Sequence, residues 1–166
     1  GKLLEPLASF RRPMPAWARE EGFALVGAWE SIQFYQRSNQ ATTDFESLYD
    51  YSHSETFVRE AKAIGANCII THYDYTFGLE EQKEQLARSK EFIKLCHRHG
   101  MKAGVYFRMD SIGHEALVGA EREILKCVQR DDQGPVGFSP YFHGLCYHYP
   151  EAVEWLKTWI HRAIVE

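Results

Sequence analysis

Three apolar runs along the sequence each end in polar and aromatic side chains, and this recurring pattern limits the folds available to the chain. The runs cover residues 23–28, 67–71 and 101–105, and each has the length and content of a buried β-strand. The side chains that follow them are Trp29 and Glu30, then His72, Tyr73 and Asp74, then Tyr106, Arg108 and Asp110. The carboxyl ends of strands are where α/β barrels place their chemistry.

Helical patterns separate the three strands and give the element order β-α-β-α-β. Ser52 and Glu55 have the spacing of a capping box, and the pattern predicts a helix over residues 55–64 that ends at Gly65. A second helix is predicted over residues 79–99. Strands joined by helical crossovers run parallel, so a barrel and a doubly wound sheet are the candidate folds.

The remaining segments are interpreted as an arm and an insertion. Residues 1–22 contain three prolines and are predicted to be an irregular arm, and residues 36–51 are predicted to be a polar segment. Residues 113–148 are predicted to be an insertion over the strand ends, with a short helix over 115–126 and then a hairpin. A last helix opens at Pro150, because proline is tolerated at the first helical position.

The predicted fold is therefore α/β: a partial (β/α)8 TIM barrel with the first three βα units and an inserted hairpin or loop region after strand 3. A complete barrel has eight such units in about 250 residues, and three units leave an open edge on the third strand. Residues 23–166 are accordingly predicted to be the amino-terminal part of a longer catalytic domain.

Charge and composition exclude several classes of partner. The net charge of -4 comes from interspersed charges without a basic block, so neither nucleic acid nor an anionic membrane is an expected partner. No apolar run approaches the roughly 20 residues of a membrane span. The absence of glycine-rich nucleotide loops and of a serine-hydrolase elbow disfavours nucleotide and serine-hydrolase chemistry.

The cysteines lack metal or disulfide spacing and are predicted to be reduced and structural; they are Cys68, Cys96, Cys127 and Cys146. Reduced cysteines weakly favour a cytoplasmic location. A small neutral molecule is the partner that suits this surface, and no cofactor is expected.

The strand ends supply groups suited to a sugar. Trp29 could stack on the apolar face of a pyranose and Glu30 could accept its hydroxyls, although a core tryptophan beside a solvated glutamate is the alternative. His72 and Tyr73 could donate or accept hydrogen bonds, or could be satisfied packing residues. The spacing of His72 and Asp74 also occurs in metal-dependent hydrolases, but further ligands are not evident.

Two further segments carry alternatives. Tyr106, Arg108 and Asp110 alternate along the chain and could point toward a barrel axis, while Arg108 could instead form a structural ion pair with Asp110 or Glu30. The aromatic residues 141–149 could roof a sugar subsite or pack the loop onto the body, and packing is the favoured interpretation.

Several ordered motifs resemble a group of TIM-barrel proteins classed with the glycoside hydrolases, and the barrels of family 42 β-galactosidases and α-L-fucosidases. The motifs are residues 49–61, 65–73, 77–80 and 96–106. The resemblance implies that Trp29, Glu30, His72, Tyr73 and Tyr106 line a sugar pocket. It also implies that the catalytic carboxylates come from strand four onward, beyond Glu166.

The expected function is therefore hydrolysis of glycosidic bonds by a carboxylate pair, with these residues supplying sugar contacts and the complete protein supplying catalysis. One alternative is a barrel that binds carbohydrate without cleaving it. A metal-dependent barrel hydrolase is a further, less favoured alternative.

Overall fold

The structure, a computed structural model, describes residues 15–20, 22–27, 44–73, 82–113, 116–117, 119, 122–139 and 142–165. The α-helices in these ranges are α1 (Ala16–Glu20), α2 (Phe45–Ser52), α3 (Glu55–Ala63), α4 (Lys83–Arg98) and α5 (Pro150–Val165). The strands are β1 (Ala24–Val26), β2 (Cys68–His72), β3 (Lys102–Tyr106), β4 (Ser111–Gly113), β5 (Arg130–Asp131), β6 (Gly134–Pro135), β7 (Gly137–Ser139) and β8 (Phe142–Gly144). None of the helices in these ranges has the length and apolar content needed to cross a bilayer.

Strands β1, β2 and β3 form a parallel sheet with β2 in the centre. Ala24 of β1 is paired with Cys68 of β2, and at the other end of the sheet His72 is paired with Tyr106 of β3. The predicted order of parallel strands separated by helices is confirmed. Strand β1 is shorter than predicted, and Ala28 lies outside the described residues.

The helix predicted over residues 55–64 is confirmed as α3, but the predicted capping residue is wrong. Ser54 is the N-cap, and its Oγ accepts a hydrogen bond from the Phe57 N–H at 3.2 Å. Ser52 is the last residue of α2, where its Oγ donates to the Tyr49 carbonyl at 2.9 Å. The side chain of Ser52 is therefore already engaged by the preceding helix.

The segment predicted as polar over residues 36–51 contains α2 within its described part. Asp44 caps this helix by accepting from the Ser47 N–H at 3.0 Å. Tyr49 of this helix is buried. A single buried aromatic on a two-turn helix gives too little periodicity for the sequence to reveal it.

Replacing Ser54 with Ala should lower the free energy of unfolding by about 1 kcal/mol, because the Phe57 N–H loses its acceptor. Urea unfolding followed by circular dichroism measures the change. Thr56→Ala is the matched control, since it removes a hydroxyl from an exposed position in the same helix. Equal destabilisation by the two variants would contradict the assignment of the cap.

Two apolar clusters hold the helices against the sheet. In one, Val58 of α3 and Phe92 of α4 pack against Ile69 of β2. In the other, Trp155 and Trp159 of α5 join residues of the insertion and Tyr73. The sheet therefore has a face covered by helices, which we call the helix face.

The region between β3 and α5 is an insertion built largely from antiparallel strands. Strand β8 pairs with β4 and β7, and β5 pairs with β6 around Asp132 and Gln133, which confirms the predicted hairpin. Within the helix predicted over residues 115–126, residues 116 and 117 are α-helical, while residues 122–127 form a 3₁₀ helix, so the predicted helix type is wrong from residue 122 onward. The opening of α5 at Pro150 is confirmed.

The arm predicted to be irregular over residues 1–22 contains α1 in its described part. The Ala18 and Arg19 N–H groups both donate to the Pro15 carbonyl, at 3.0 Å and 3.1 Å. Proline just before a first turn has a backbone angle suited to a helix start, so Pro15 here marks a helix and not a break.

Candidate functional site at the carboxyl edge of the parallel sheet

Alternation along β2 sends its side chains to two different faces of the sheet. Ile69 packs with the helices on the helix face, and the Thr71 hydroxyl lies there too, 2.8 Å from His53 Nε2. Ile70 and His72 therefore point to the opposite face, which we call the inner face. A Cβ placed on Gly104 would lie 3.5 Å from the Ile70 side chain, which agrees with this assignment.

His72 and Tyr106 are neighbours on the inner face at the carboxyl ends of their strands. They are paired in the β2–β3 register, and their ring centroids are 5.5 Å apart at an interplanar angle of 42°. Tyr106 is 38% exposed, whereas His72 is 5% exposed. Tyr106 consequently offers a ring to solvent, while His72 packs beside it.

Tyr73 is on the other side of the sheet, although it follows His72 directly. Its ring packs edge-on against Phe107 and Trp159, with centroid separations of 6.2 Å and 5.8 Å. Its backbone N–H donates to the Tyr106 carbonyl at 2.7 Å and so extends the ladder by one residue. The structure thus brings Tyr106 together with His72 and directs the ring of Tyr73 into the core.

Arg108 and Asp110 continue from β3 into the insertion. The Arg108 guanidinium lies over the Phe142 ring, 3.7 Å from its centroid. The Asp110 carboxylate accepts a hydrogen bond from the Ser111 hydroxyl at 3.2 Å, and its carbonyl accepts from the Leu145 N–H at 3.0 Å. No ion pair joins Arg108 to Asp110, both of which are described, so the expected pairing of these two is not found.

Tyr147 adds an aromatic group beside Asp110. Its ring is partly exposed, and its phenol pKa is raised first by burial and second by the nearby Asp110 carboxylate. Tyr147 was not among the predicted site residues, and the sequence signal for it was its place within the aromatic residues 141–149. The packing of β8 against β4 is what brings this segment back to Asp110.

Three of the predicted site residues, Trp29, Glu30 and Asp74, lie outside the described residues. Among the residues that the structure describes, no group of three or more His, Cys, Asp or Glu side chains could hold a metal ion. The less favoured alternative, a metal pair of His72 and Asp74, is untested because Asp74 lies outside the described residues.

His53 is a half-buried residue behind the site that sequence reasoning missed. Its Nδ1 lies 2.9 Å from the Tyr49 carbonyl, and its ring stacks on the Tyr49 ring with centroids 4.1 Å apart. Burial lowers its pKa below the ordinary imidazole value of 6.5, with Arg88 adding to the lowering, while the Tyr49 carbonyl and Asp50 oppose it. His53 therefore connects α2 to Thr71, next to His72.

The lowered pKa of His53 makes a pH-dependent contribution to stability. The unfolded chain takes up a proton near pH 6.5 and the folded chain does so only at lower pH, so folding stability should fall as the pH drops below 6.5. Urea unfolding at several pH values measures this. His53→Asn should flatten the dependence, while His97→Gln, at an exposed position of α4, should leave it unchanged. An unchanged pH dependence in His53→Asn would contradict the assignment.

Comparisons with known proteins concern the fold. No protein-family model matches the sequence, and no curated protein matches it. Among solved structures, an α-galactosidase from Lactobacillus brevis is similar over 89% of this chain and 19% of its own, with a TM-score of 0.58 and 16% identity. Two further structures each match 64% of this chain and 30% of their own length. One is an α-amylase from Lactobacillus plantarum, with 14% identity and a TM-score of 0.49. The other is a maltogenic α-amylase from Thermotoga neapolitana, with 13% identity and a TM-score of 0.48.

The chain therefore spans less than a third of the length of each of these structures. At these identities the likeness concerns the fold alone. The mixed helix and strand arrangement around a parallel sheet is similar to part of a glycoside hydrolase, the α-galactosidase.

Proposed function

We propose that this chain is the sugar-binding portion of a (β/α)8 barrel that hydrolyses glycosidic bonds, with residues 23–166 as its first three βα units. The observation that carries the proposal is the exposed Tyr106 ring beside His72, at the carboxyl edge of a parallel sheet and on its inner face. This is the position at which α/β barrels bind their substrates. The fold likeness to an α-galactosidase supports it.

Tyr106 acts in this proposal as the platform for one sugar ring. A flat aromatic ring removes the apolar C–H face of a pyranose from water, while the ring hydroxyls stay available for hydrogen bonds. His72 is too buried for broad contact with a sugar, and it packs beside Tyr106 and orients that ring. Asp110 accepts hydroxyl hydrogen bonds, and Arg108 lines the approach from the insertion.

Trp29 and Glu30 complete the pocket in this proposal. They follow β1, which is parallel to β2, and Gly27 donates its N–H to the Ile70 carbonyl at 2.8 Å. Gly27 therefore lies toward the same edge of the sheet as His72 and Tyr106. Tyr73 is assigned a supporting role from the core.

Hydrolysis needs two carboxyl groups about 5–5.5 Å apart for retention or about 6.5–9.5 Å apart for inversion. Among the described residues, Asp110 is the first carboxylate in the sequence after β3. We assign the reacting pair to later strands of the complete barrel. A carbohydrate-binding barrel without hydrolysis is the second candidate, favoured by the exposed Tyr106 ring, since an aromatic platform can hold a sugar without a carboxylate pair.

The test combines binding and turnover with one panel of ligands. Methyl and nitrophenyl glycosides of galactose, glucose and fucose, in both anomers, are titrated by calorimetry into the full-length protein that contains this chain. The nitrophenyl glycosides are then assayed with the same protein for release of nitrophenol. Binding with release supports the hydrolase, and binding without release supports the second candidate. Failure of every glycoside to bind would overturn both.

A further inference from the structure

Two cysteines and a histidine lie together where the 3₁₀ helix meets the segment that leads into α5. Cys127 ends the 3₁₀ helix, and Cys146 follows β8. The Cys146 N–H donates to the Cys127 carbonyl at 2.8 Å, and Val128 and Leu145 form an antiparallel bridge next to them. Cys127 and Cys146 are therefore opposite each other on two antiparallel segments.

Opposite residues on antiparallel segments direct their side chains to the same face, with Cα atoms about 5.5 Å apart when they are joined by a backbone hydrogen bond. This separation is within the range that a disulfide spans. Cys127 and Cys146 could thus be joined without a large movement of the backbone.

The two thiols differ in their access to solvent. Cys146 is partly exposed, and its Sγ lies 3.7 Å from Nδ1 of the exposed His148. Cys127 is fully buried, and burial raises the pKa of its thiol. A reagent in solution can therefore reach Cys146, which has an imidazole beside it to accept the thiol proton, whereas only a neighbouring group can reach Cys127.

We propose that Cys146 is a site of oxidation by hydroperoxides and that Cys127 resolves the product into a disulfide. The Cys146 thiol gives its proton to His148, and the thiolate attacks one peroxide oxygen. The O–O bond breaks and water (or an alcohol) leaves, which converts Cys146 into a sulfenic acid. The Cys127 sulfur then attacks the Cys146 sulfur, the S–O bond breaks, and water leaves with the thiol proton. Two thiols lose two electrons to one peroxide.

The other two cysteines provide an internal comparison. Cys68 and Cys96 are both buried, and burial, with Cys68 nearby, raises the pKa of Cys96 to about 11. They should stay reduced at peroxide concentrations that oxidise Cys146.

The experiment exposes the folded protein to increasing hydrogen peroxide, alkylates the remaining thiols and identifies linked peptides by mass spectrometry. The expected result is one disulfide between Cys127 and Cys146, reversed by dithiothreitol, with Cys68 and Cys96 alkylated. Linkage of Cys68 to Cys96 would overturn the proposal. So would free Cys127 and Cys146 thiols in the folded protein at a peroxide concentration that oxidises the urea-unfolded protein.

Three variants separate the steps. Cys127→Ser should remove the linked peptides and leave a Cys146 sulfenic acid that dimedone traps, and Cys146→Ser should leave Cys127 as a free thiol. His148→Gln should slow the oxidation of Cys146 several-fold without changing which peptides become linked. Dimedone labelling at Cys127 in the Cys146→Ser variant, or an unchanged rate in His148→Gln, would contradict the assigned roles.

Discussion

Replacing Tyr106 with Ala should weaken the binding of the best glycoside ligand about tenfold, which is a loss of ~1.4 kcal/mol. The reason is that the 38% exposed ring supplies the apolar platform for the sugar, and its removal leaves that face of the sugar in water. Calorimetric titration of the protein with the glycoside measures the change. Tyr106→Phe keeps the ring and should bind within about threefold of the original protein, or ~0.6 kcal/mol.

The matched control for this prediction is Tyr51→Ala. Tyr51 is 43% exposed, but it belongs to α2, packs edge-on against Phe57 and donates a hydrogen bond to Glu60. Its removal should leave the glycoside affinity unchanged. If Tyr51→Ala and Tyr106→Ala weakened binding equally, the sugar would not be bound at the inner face.

Replacing Trp159 with Ala should lower the free energy of unfolding by about 3–5 kcal/mol, the loss expected for a fully buried aromatic side chain. Trp159 is 2% exposed and contacts the rings of Tyr73 and Trp155, with centroids 5.8 Å and 6.1 Å away. It joins α5 to the helix face behind the strand ends. Urea unfolding monitored by circular dichroism tests the prediction.

Trp17→Ala is the control for the loss of a tryptophan as such. Trp17 lies in α1 and is 40% exposed, so its replacement should cost less than about 1 kcal/mol. Similar losses of unfolding free energy in the two variants would contradict the assignment of Trp159 as a buried contact between α5 and Tyr73.

The parallel strands were predictable because each is a short apolar run followed by polar residues. Gly65 and Gly100 also marked the helix ends correctly, since both have positive φ angles, 93° and 71°. Which serine caps α3 was not predictable from the sequence. Ser52 and Ser54 are both hydroxyl residues near the helix start, and only the end of α2 at Ser52 decides between them.

The candidate site was predictable in part. Strand position indicated His72 and Tyr106 together, and the β2–β3 register bears out their adjacency. Alternation along β2 indicates that Tyr73 points away from His72. It could not show that Trp159 covers the Tyr73 ring, because Trp159 is distant in sequence. The position of Arg108 over Phe142 and the electrostatic effect of Asp110 on Tyr147 depend on how the insertion folds back, which no local pattern encodes.

The most direct measurement is a nuclear magnetic resonance titration of the ring signals of tyrosine and histidine with a glycoside that calorimetry shows to bind. The account predicts that the Tyr106 ring signals shift most and saturate with the calorimetric affinity, with smaller shifts at His72 and none at Tyr51. Saturating shifts confined to Tyr51 and His53, with Tyr106 unaffected, would contradict it.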